Sequence, residues 1–138
     1  MPHYSINYLA VIAAAVAAFA IGAVWYSPLA FGRQWIALMA INDEDMEKMR
    51  KSAGPAYAVS FVTYVVMAFV LAHIVDWMQA TTLLAGAHAG LFCWFGFAAT
   101  IGLTATLYRN QNLKLYVLDA AYQLVYMAVM GAILAVWT

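Results

Sequence analysis

An acidic side chain, Asp119, lies inside a long apolar run near the end of the sequence. Tyr122 and Gln123 follow it at three and four residues and Tyr126 at seven, so the four side chains share one face of a helix. A carboxylate inside a membrane span is costly and is by default a functional candidate. The pattern therefore predicts a proton or cation site, at which Tyr122 and Gln123 would supply hydrogen bonds.

A structural role for Asp119 is the alternative interpretation. The residue lies five positions after Lys114, near the predicted N-terminus of its helix, where negative charge is favoured. The cationic side chains of Arg109 and Lys114 are also close enough along the chain to pair with it. The sequence leaves both interpretations open, and replacing Asp119 with Asn would separate them.

The histidines suggest a second chemistry, the binding of a divalent metal. His73 and Asp76 share a helix face, His88 follows in the next apolar run, and His3 lies in the N-terminal tail. Imidazole and carboxylate groups are ligands that zinc accepts. However, the sequence has no HxxxH or HExxH spacing. We therefore expect these histidines to bond to the backbone or to neighbouring side chains, and we predict no metal and no cofactor.

Four long apolar runs must position these groups. The chain has 138 residues, of which 67% are hydrophobic and 9% charged, with a mean hydropathy of +0.84. Soluble domains have about 25% charged residues. A run of about 20 apolar residues crosses the hydrocarbon core as a helix. We predict an all-α, four-helix transmembrane bundle that forms a single domain over residues 1–138. The predicted spans are 6–26, 56–75, 82–108 and 115–136.

The positive charges predict the orientation of the chain. All six lie in the first and third connections: Arg33, Lys48, Arg50, Lys51, Arg109 and Lys114. The positive-inside rule then places both termini outside the cytoplasm. We expect a multi-pass protein of the bacterial inner membrane, in contact with the lipid bilayer. The net charge is zero, which gives no basis for a nucleic-acid partner. The first run is expected to be retained, since the tail before it carries no positive charge.

The connection 27–55 follows the first span. Trp25 and Tyr26 are typical of the aromatic belt at a membrane interface, and Pro28 would stop the helix. A short interfacial helix is predicted next, from an apolar stripe of Phe31, Trp35, Leu38 and Met39. A short charged helix should begin after the N-cap Asn42, and Gly54 and Pro55 should end it.

Small residues recur every four positions in three of the spans. They are Ala10, Ala14, Ala18 and Gly22 in the first, Gly86 and Gly90 in the third, and Gly131 and Ala135 in the fourth. Such ridges allow close approach of helices in lipid, where tight van der Waals contact drives association. Packing within the chain is favoured over an oligomer interface, although a homo-oligomer remains an expectation.

Four stretches carry a family resemblance. They are "IN" at Ile6–Asn7, "GAVWYSPLAFGRQW" at Gly22–Trp35, "WFGF" at Trp94–Phe97 and "DAAYQLVYMAVMGAILAVW" at Asp119–Trp137. With these, the chain resembles a small bacterial and fungal membrane-protein family known as the domain of unknown function seventeen-sixty-one. The resemblance implies four spans and no settled activity. Its motif points to Asn7, Trp25, Tyr26, Ser27, Pro28, Phe31, Gly32, Trp35, Asp119, Tyr122 and Gly131.

Three function classes fit these observations. The first is a non-enzymatic membrane protein that forms an oligomer or a subunit of a membrane assembly. The second is a small-solute, ion or proton pathway that uses Asp119. The third, a membrane enzyme, has little support, because no nucleophile motif and no phosphate-binding loop occurs. We predict one cluster in which Trp25, Tyr26 and Ser27 meet Asp119, Tyr108 and Arg109 at the cytoplasmic mouth.

Overall fold

The structure is a computed structural model that describes residues 6–137, so His3 lies outside the described part. Within that range the chain is helical with short connections and no strand. The α-helices are α1 Tyr8–Trp25, α2 Gly32–Met39, α3 Asp43–Trp77, α4 Leu83–Cys93, α5 Ala99–Tyr108 and α6 Leu113–Val136. A π-helical turn, Trp94–Ala98, joins α4 to α5.

Four helical segments are long and apolar enough to cross a membrane. They are Tyr8–Trp25, Asp43–Trp77, Leu83–Tyr108 and Leu113–Val136. The third consists of α4, the π turn and α5. The prediction of an all-α chain with four membrane-spanning helices is confirmed.

A polar N-cap residue precedes each of these segments. Asn7 caps α1, Asn42 caps α3, Thr82 caps α4 and Asn112 caps α6, each by accepting a hydrogen bond from a backbone N–H in the first turn. Such caps satisfy donors that have no partner within the helix. At α3 the predicted N-cap Asn42 forms a complete capping box with Asp45.

The charged segment and the second span form one helix, α3. The prediction that Gly54 and Pro55 end a separate helix is wrong, because α3 runs through both residues. Pro55 has no N–H to donate to the carbonyl of Lys51. Both residues are exposed, so water can satisfy that carbonyl, and Gly54 keeps a negative φ. The helix therefore continues with the loss of one internal hydrogen bond.

Helix α6 lies at the centre of the bundle. It packs against α1, α3 and α4, and α1 also packs against α3. Tyr122, Tyr126 and Met130 of α6 are buried in the shared core. Helix α1 finishes and α6 begins on the same side of the bundle, which is here called the basic end. All six Lys and Arg residues lie in segments that meet at this side or extend from it.

The small-residue ridges are used within the chain. On α1, Ala10, Ala14 and Ala18 are fully buried in the core. At the α4–α6 crossing, a methyl group on Gly86 would collide with the carbonyl oxygen of Gly131, and one on Gly90 with that of Met127. The two backbones therefore touch, in the manner that small residues permit in membranes.

Candidate functional site

Asp119 is hydrogen-bonded to the first span. The Tyr26 hydroxyl donates to Asp119 Oδ1 at 2.6 Å. The expected pairing with Arg109 or Lys114 is wrong, since within residues 6–137 the only ion pair joins Lys48 and Glu44. The hydroxyl of Tyr26, at the end of α1, thus provides the partner that the sequence suggested a cation would provide.

Four tyrosines surround this hydrogen bond and are here called the tyrosine cluster: Tyr26, Tyr64, Tyr122 and Tyr126. The Tyr122 hydroxyl donates to the carbonyl of Ala18 at 2.8 Å and lies 3.0 Å from the Tyr64 hydroxyl. The Tyr122 ring packs edge-on against Tyr26 and Tyr126, with centroid distances of 5.3 and 4.8 Å. The cluster therefore ties α1, α3 and α6 together beside Asp119.

A tight turn after α1 positions Tyr26. The N–H of Phe31 donates to the carbonyl of Trp25, and that of Gly32 donates to Ser27. A methyl group on Gly32 would lie 2.5 Å from the carbonyl oxygen of Tyr26, so only glycine fits this buried position without a shift of the backbone. The turn accounts for Ser27 and Gly32 in the motif around Pro28.

The turn also folds α2 back onto the site. The Phe31 ring lies 4.7 Å from the Trp25 ring, and the Trp35 ring lies 5.8 Å from the Tyr26 ring. Trp25 also contacts Tyr122, at 6.1 Å between centroids. Both rings therefore pack on protein at the end of α1, and their place in an interfacial belt stays a prediction.

Trp25 has a further feature that the sequence does not reveal. Its indole Nε1 is buried and has no hydrogen-bond partner within the described part of the chain. Nearly all buried donors in proteins are paired, so this N–H is a polar exception in the aromatic wall of the site.

Two cavities lie on either side of the hydrogen bond. The first, here called the aromatic cavity, has a volume of ≈ 540 Å³ between α1 and α3. Its lining residues are Phe19, Gly22, Ala23, Tyr26, Tyr57, Ser60, Tyr64 and Tyr122. The second, here called the polar cavity, has a volume of ≈ 210 Å³ between α5 and α6. Its polar lining is Thr106, Arg109, Gln111, Tyr116, Asp119 and Gln123.

Asp119 is the link between these cavities, because it lines the polar one and its partner Tyr26 lines the aromatic one. The Tyr26 phenol is the donor of this hydrogen bond, and the Asp119 carboxylate is the acceptor. Within residues 6–137, the second oxygen of Asp119 has no donor within hydrogen-bond distance. It is free to accept a hydrogen bond or a positive charge from a ligand.

The structure does not bring every predicted member to the site. Tyr108 is 88% exposed and does not join the cluster. Arg109 and Gln123 line the polar cavity but do not pair with Asp119. Asn7 lies at the opposite end, where its side chain caps α1 and lines a small cavity with Asp76.

The metal candidates are also apart. Within residues 6–137, no group of three His, Cys, Asp or Glu residues is arranged to hold a metal ion. His73 Nδ1 lies 2.8 Å from the carbonyl oxygen of Phe69, and His88 is exposed.

Two functional contacts were missed by sequence reasoning. The Trp94 indole donates to the carbonyl of Ala120 at 3.0 Å, and the Tyr116 hydroxyl donates to that of Ala99 at 2.6 Å. Both bonds join α6 to the π turn or to the residue after it, and both flank the polar cavity. The "WFGF" motif marked the turn, but no periodic pattern predicts a π-helix, which commonly occurs at functional sites.

Comparisons with known proteins give one match. A family model described as "Protein of unknown function (DUF1761)" matches residues 9–135. No curated protein and no solved structure matches the chain. The matched segment includes the turn after α1, the tyrosine cluster, the π turn and Asp119. The chain therefore belongs to the DUF1761 family of proteins of unknown function.

Proposed function

We propose that the protein provides a pathway through the membrane for a small solute that bears a positive charge, with Asp119 as its binding group. The observation that carries the proposal is the position of the Asp119 carboxylate. It is held by Tyr26 on one oxygen, and its other oxygen has no protein donor within the described residues. The polar cavity connects it to the basic end.

The cost of the carboxylate supports this function. An acidic side chain lowers the stability of an inserted helix by roughly 2.5–3.5 kcal/mol at mid-membrane, which is an upper bound for Asp119 because it lies in the second turn of α6. One phenol hydrogen bond returns about 1.5–3 kcal/mol when the acceptor is charged. With no cation pairing with Asp119 in residues 6–137, a positively charged ligand is the group that would balance it.

The aromatic cavity supports the same function from the other side. Its walls include four rings besides Tyr26: Phe19, Tyr57, Tyr64 and Tyr122. Aromatic faces attract cations, by up to about 2 kcal/mol where water is excluded. A cation released from Asp119 would thus meet a favourable surface between α1 and α3.

The test is methylammonium uptake into proteoliposomes that contain the full chain. Asp119→Asn keeps the shape of the side chain and removes its charge, so uptake should fall to the level of empty vesicles. Tyr26→Phe should lower it in part, since only the orientation of the carboxylate is lost. Asp76→Asn is the matched control, because this acid lines a cavity at the opposite end.

Two results would overturn the proposal. One is uptake by Asp119→Asn equal to that of the wild type. The other is a combined negative result. The wild type takes up no more methylammonium than empty vesicles do, and calorimetry detects no methylammonium binding to the purified protein. A helical circular dichroism spectrum and a single size-exclusion peak show that each variant is folded.

The orientation is part of the proposal. The positive-inside rule supports an inner-membrane protein of bacteria with both termini outside the cytoplasm, so the basic end would face the cytoplasm. In right-side-out vesicles, an impermeant amine reagent should leave Lys48 and Lys114 unlabelled. Labelling of either one from the outside would refute this orientation.

A second candidate is a subunit of a membrane assembly or a homo-oligomer. The third span favours it, because only 11% of its apolar window is buried within the chain and Phe92, Phe95 and Phe97 are exposed. Gly96, between them, has nothing within 4 Å of its Cβ position. Gentle extraction from the native membrane and mass determination test this candidate, and a mass of one chain in lipid would refute it.

A further inference from the structure

A third cavity extends from the polar one towards the middle of the membrane. It is an apolar groove of ≈ 540 Å³ between α3 and the π turn with α5. Met67, Leu71 and Ile74 line it on one side, and Phe97, Ala98 and Ile101 line it on the other. This groove is here called the apolar groove. It exists because α4 packs against α3, whereas α5 does not.

The apolar groove and the polar cavity are continuous. Both are lined by Gly102 of α5 and Gln123 of α6. Together they form one elongated site in which polar and apolar linings are separated along its length. The polar part holds Arg109 and Asp119, and the apolar part ends near Met127.

The order of these linings matches one leaflet of a bilayer. Polar groups lie at the basic end of the bundle, and apolar groups lie towards its middle. The twelve helical steps from Leu115 to Met127 rise about 18 Å along α6. Half of a hydrocarbon core is about 15 Å. A lipid in the leaflet at the basic end would therefore place its head group and its chain in register with the two parts.

The charges of the polar part select the head group. Among residues 6–137, Arg109 and Asp119 are the only charged residues that line it, and they do not form an ion pair with each other. A ligand with one anionic and one cationic group would satisfy both. Guanidinium groups bind phosphate, and a carboxylate accepts hydrogen bonds from a primary ammonium group.

We propose that the continuous site binds a phospholipid with a zwitterionic ethanolamine head group. Its phosphate contacts Arg109 at the basic end, its ethanolamine arm folds back inward so that the ammonium group contacts Asp119, and one acyl chain lies in the apolar groove. This inference rests on the proposed function, because the ammonium group of the lipid is a positively charged group of the kind that Asp119 is proposed to bind there.

The experiment is lipid competition on the full chain. The protein is reconstituted in nanodiscs with equal amounts of phosphatidylethanolamine, phosphatidylglycerol and phosphatidylcholine of the same acyl chains. It is then extracted in mild detergent, and the retained lipid is identified by native mass spectrometry. Phosphatidylglycerol keeps the phosphate but has no amine, and phosphatidylcholine has a quaternary amine that cannot donate a hydrogen bond.

The wild type should retain phosphatidylethanolamine about tenfold over either competitor, which is the effect of one charge-assisted hydrogen bond. Asp119→Asn should abolish this preference. Arg109→Gln should lower retention of all three lipids. Ala98→Phe fills the groove and should also lower retention of all three, whereas Ala20→Phe is the matched control on an exposed face of α1 outside every cavity described here.

Equal retention of the three lipids by the wild type overturns the inference without the use of any variant. Retention that Ala98→Phe leaves unchanged overturns the assignment of the chain to the groove. A lipid-free dimer, crosslinked through the groove, would show that a second copy covers it and would also overturn the inference. After any of these results, methylammonium uptake that still depends on Asp119 would leave the proposed function supported. If no uptake depends on Asp119, the proposed function and this inference both fail.

Discussion

The two halves of the third span, α4 and α5, differ in how closely they pack against their neighbours. In α4, Gly86 and Gly90 bring the backbone into contact with that of α6, and no space remains between them. In α5, beyond the π turn, the same span stands away from α3 and encloses the polar cavity with α6. One helix thus provides a dry, close contact at one end and a lined space at the other.

The difference shows how a small bundle keeps a cavity open. Helices in lipid associate by van der Waals contact, so a gap between them is lost unless another part of the chain fixes their separation. Here the glycine crossing fixes one half of the span. Trp94 and Tyr116 bridge the other half through hydrogen bonds to the backbone.

The largest expected effect is in the close half. Gly90→Leu would place a side chain where the carbonyl of Met127 lies, so α4 must move away from α6. We expect a loss of about 3 kcal/mol or more in the free energy of unfolding, measured by denaturation in detergent micelles. Gly96→Leu, in the π turn with open space around it, should change stability by less than about 0.5 kcal/mol. Equal losses in the two variants would break the comparison.

The next effect concerns the aromatic cavity, on the other side of Asp119 from the open half. Tyr122→Phe leaves the carbonyl of Ala18 and the hydroxyl of Tyr64 without their partner. The free energy of unfolding should fall by roughly 1–2 kcal/mol. Tyr57→Phe is the control, because Tyr57 is exposed and lines the same cavity. If the Tyr57 variant is the less stable one, the hydrogen bonds of Tyr122 do not hold α1, α3 and α6 together.

The smallest effect is at the boundary between the halves. Trp94→Phe removes the hydrogen bond to Ala120 and keeps an aromatic ring. Global stability should fall by about 1 kcal/mol, with faster amide hydrogen exchange in α5 and no change in α4. Trp137→Phe, at the opposite end, is the control. Faster exchange in α4 as well would show that the π turn does not separate the two halves.

The sequence predicts the four membrane spans and the start of α3 well because both depend on local patterns. Long apolar runs identify the four spans, and Asn42 identifies the start of α3. Pro55 is misleading, since a proline inside a helix removes one hydrogen bond and can kink the helix without ending it. Here α3 continues through an exposed Pro55.

The site is predicted only in part. Helical spacing places Asp119, Tyr122 and Tyr126 on one face, which the structure retains. The partner of Asp119 could not be found in this way, because Tyr26 is 93 residues distant and belongs to another helix. Arg109 and Lys114 were expected to pair with Asp119 instead, because they are positively charged and close to it along the chain. The turn held by Gly32 is what turns Tyr26 inward.

The continuity of α3 has a mechanical consequence. Its 35 residues form a rod of about 52 Å, which exceeds the hydrocarbon thickness by about 20 Å. The helix is unbroken between the protruding charged turns and Tyr64, although Pro55 removes one internal hydrogen bond between them, and Tyr64 lies within reach of Tyr122. A load applied to the protruding tip, by any contact outside the membrane, would therefore be transmitted as a tilt to the wall of the aromatic cavity.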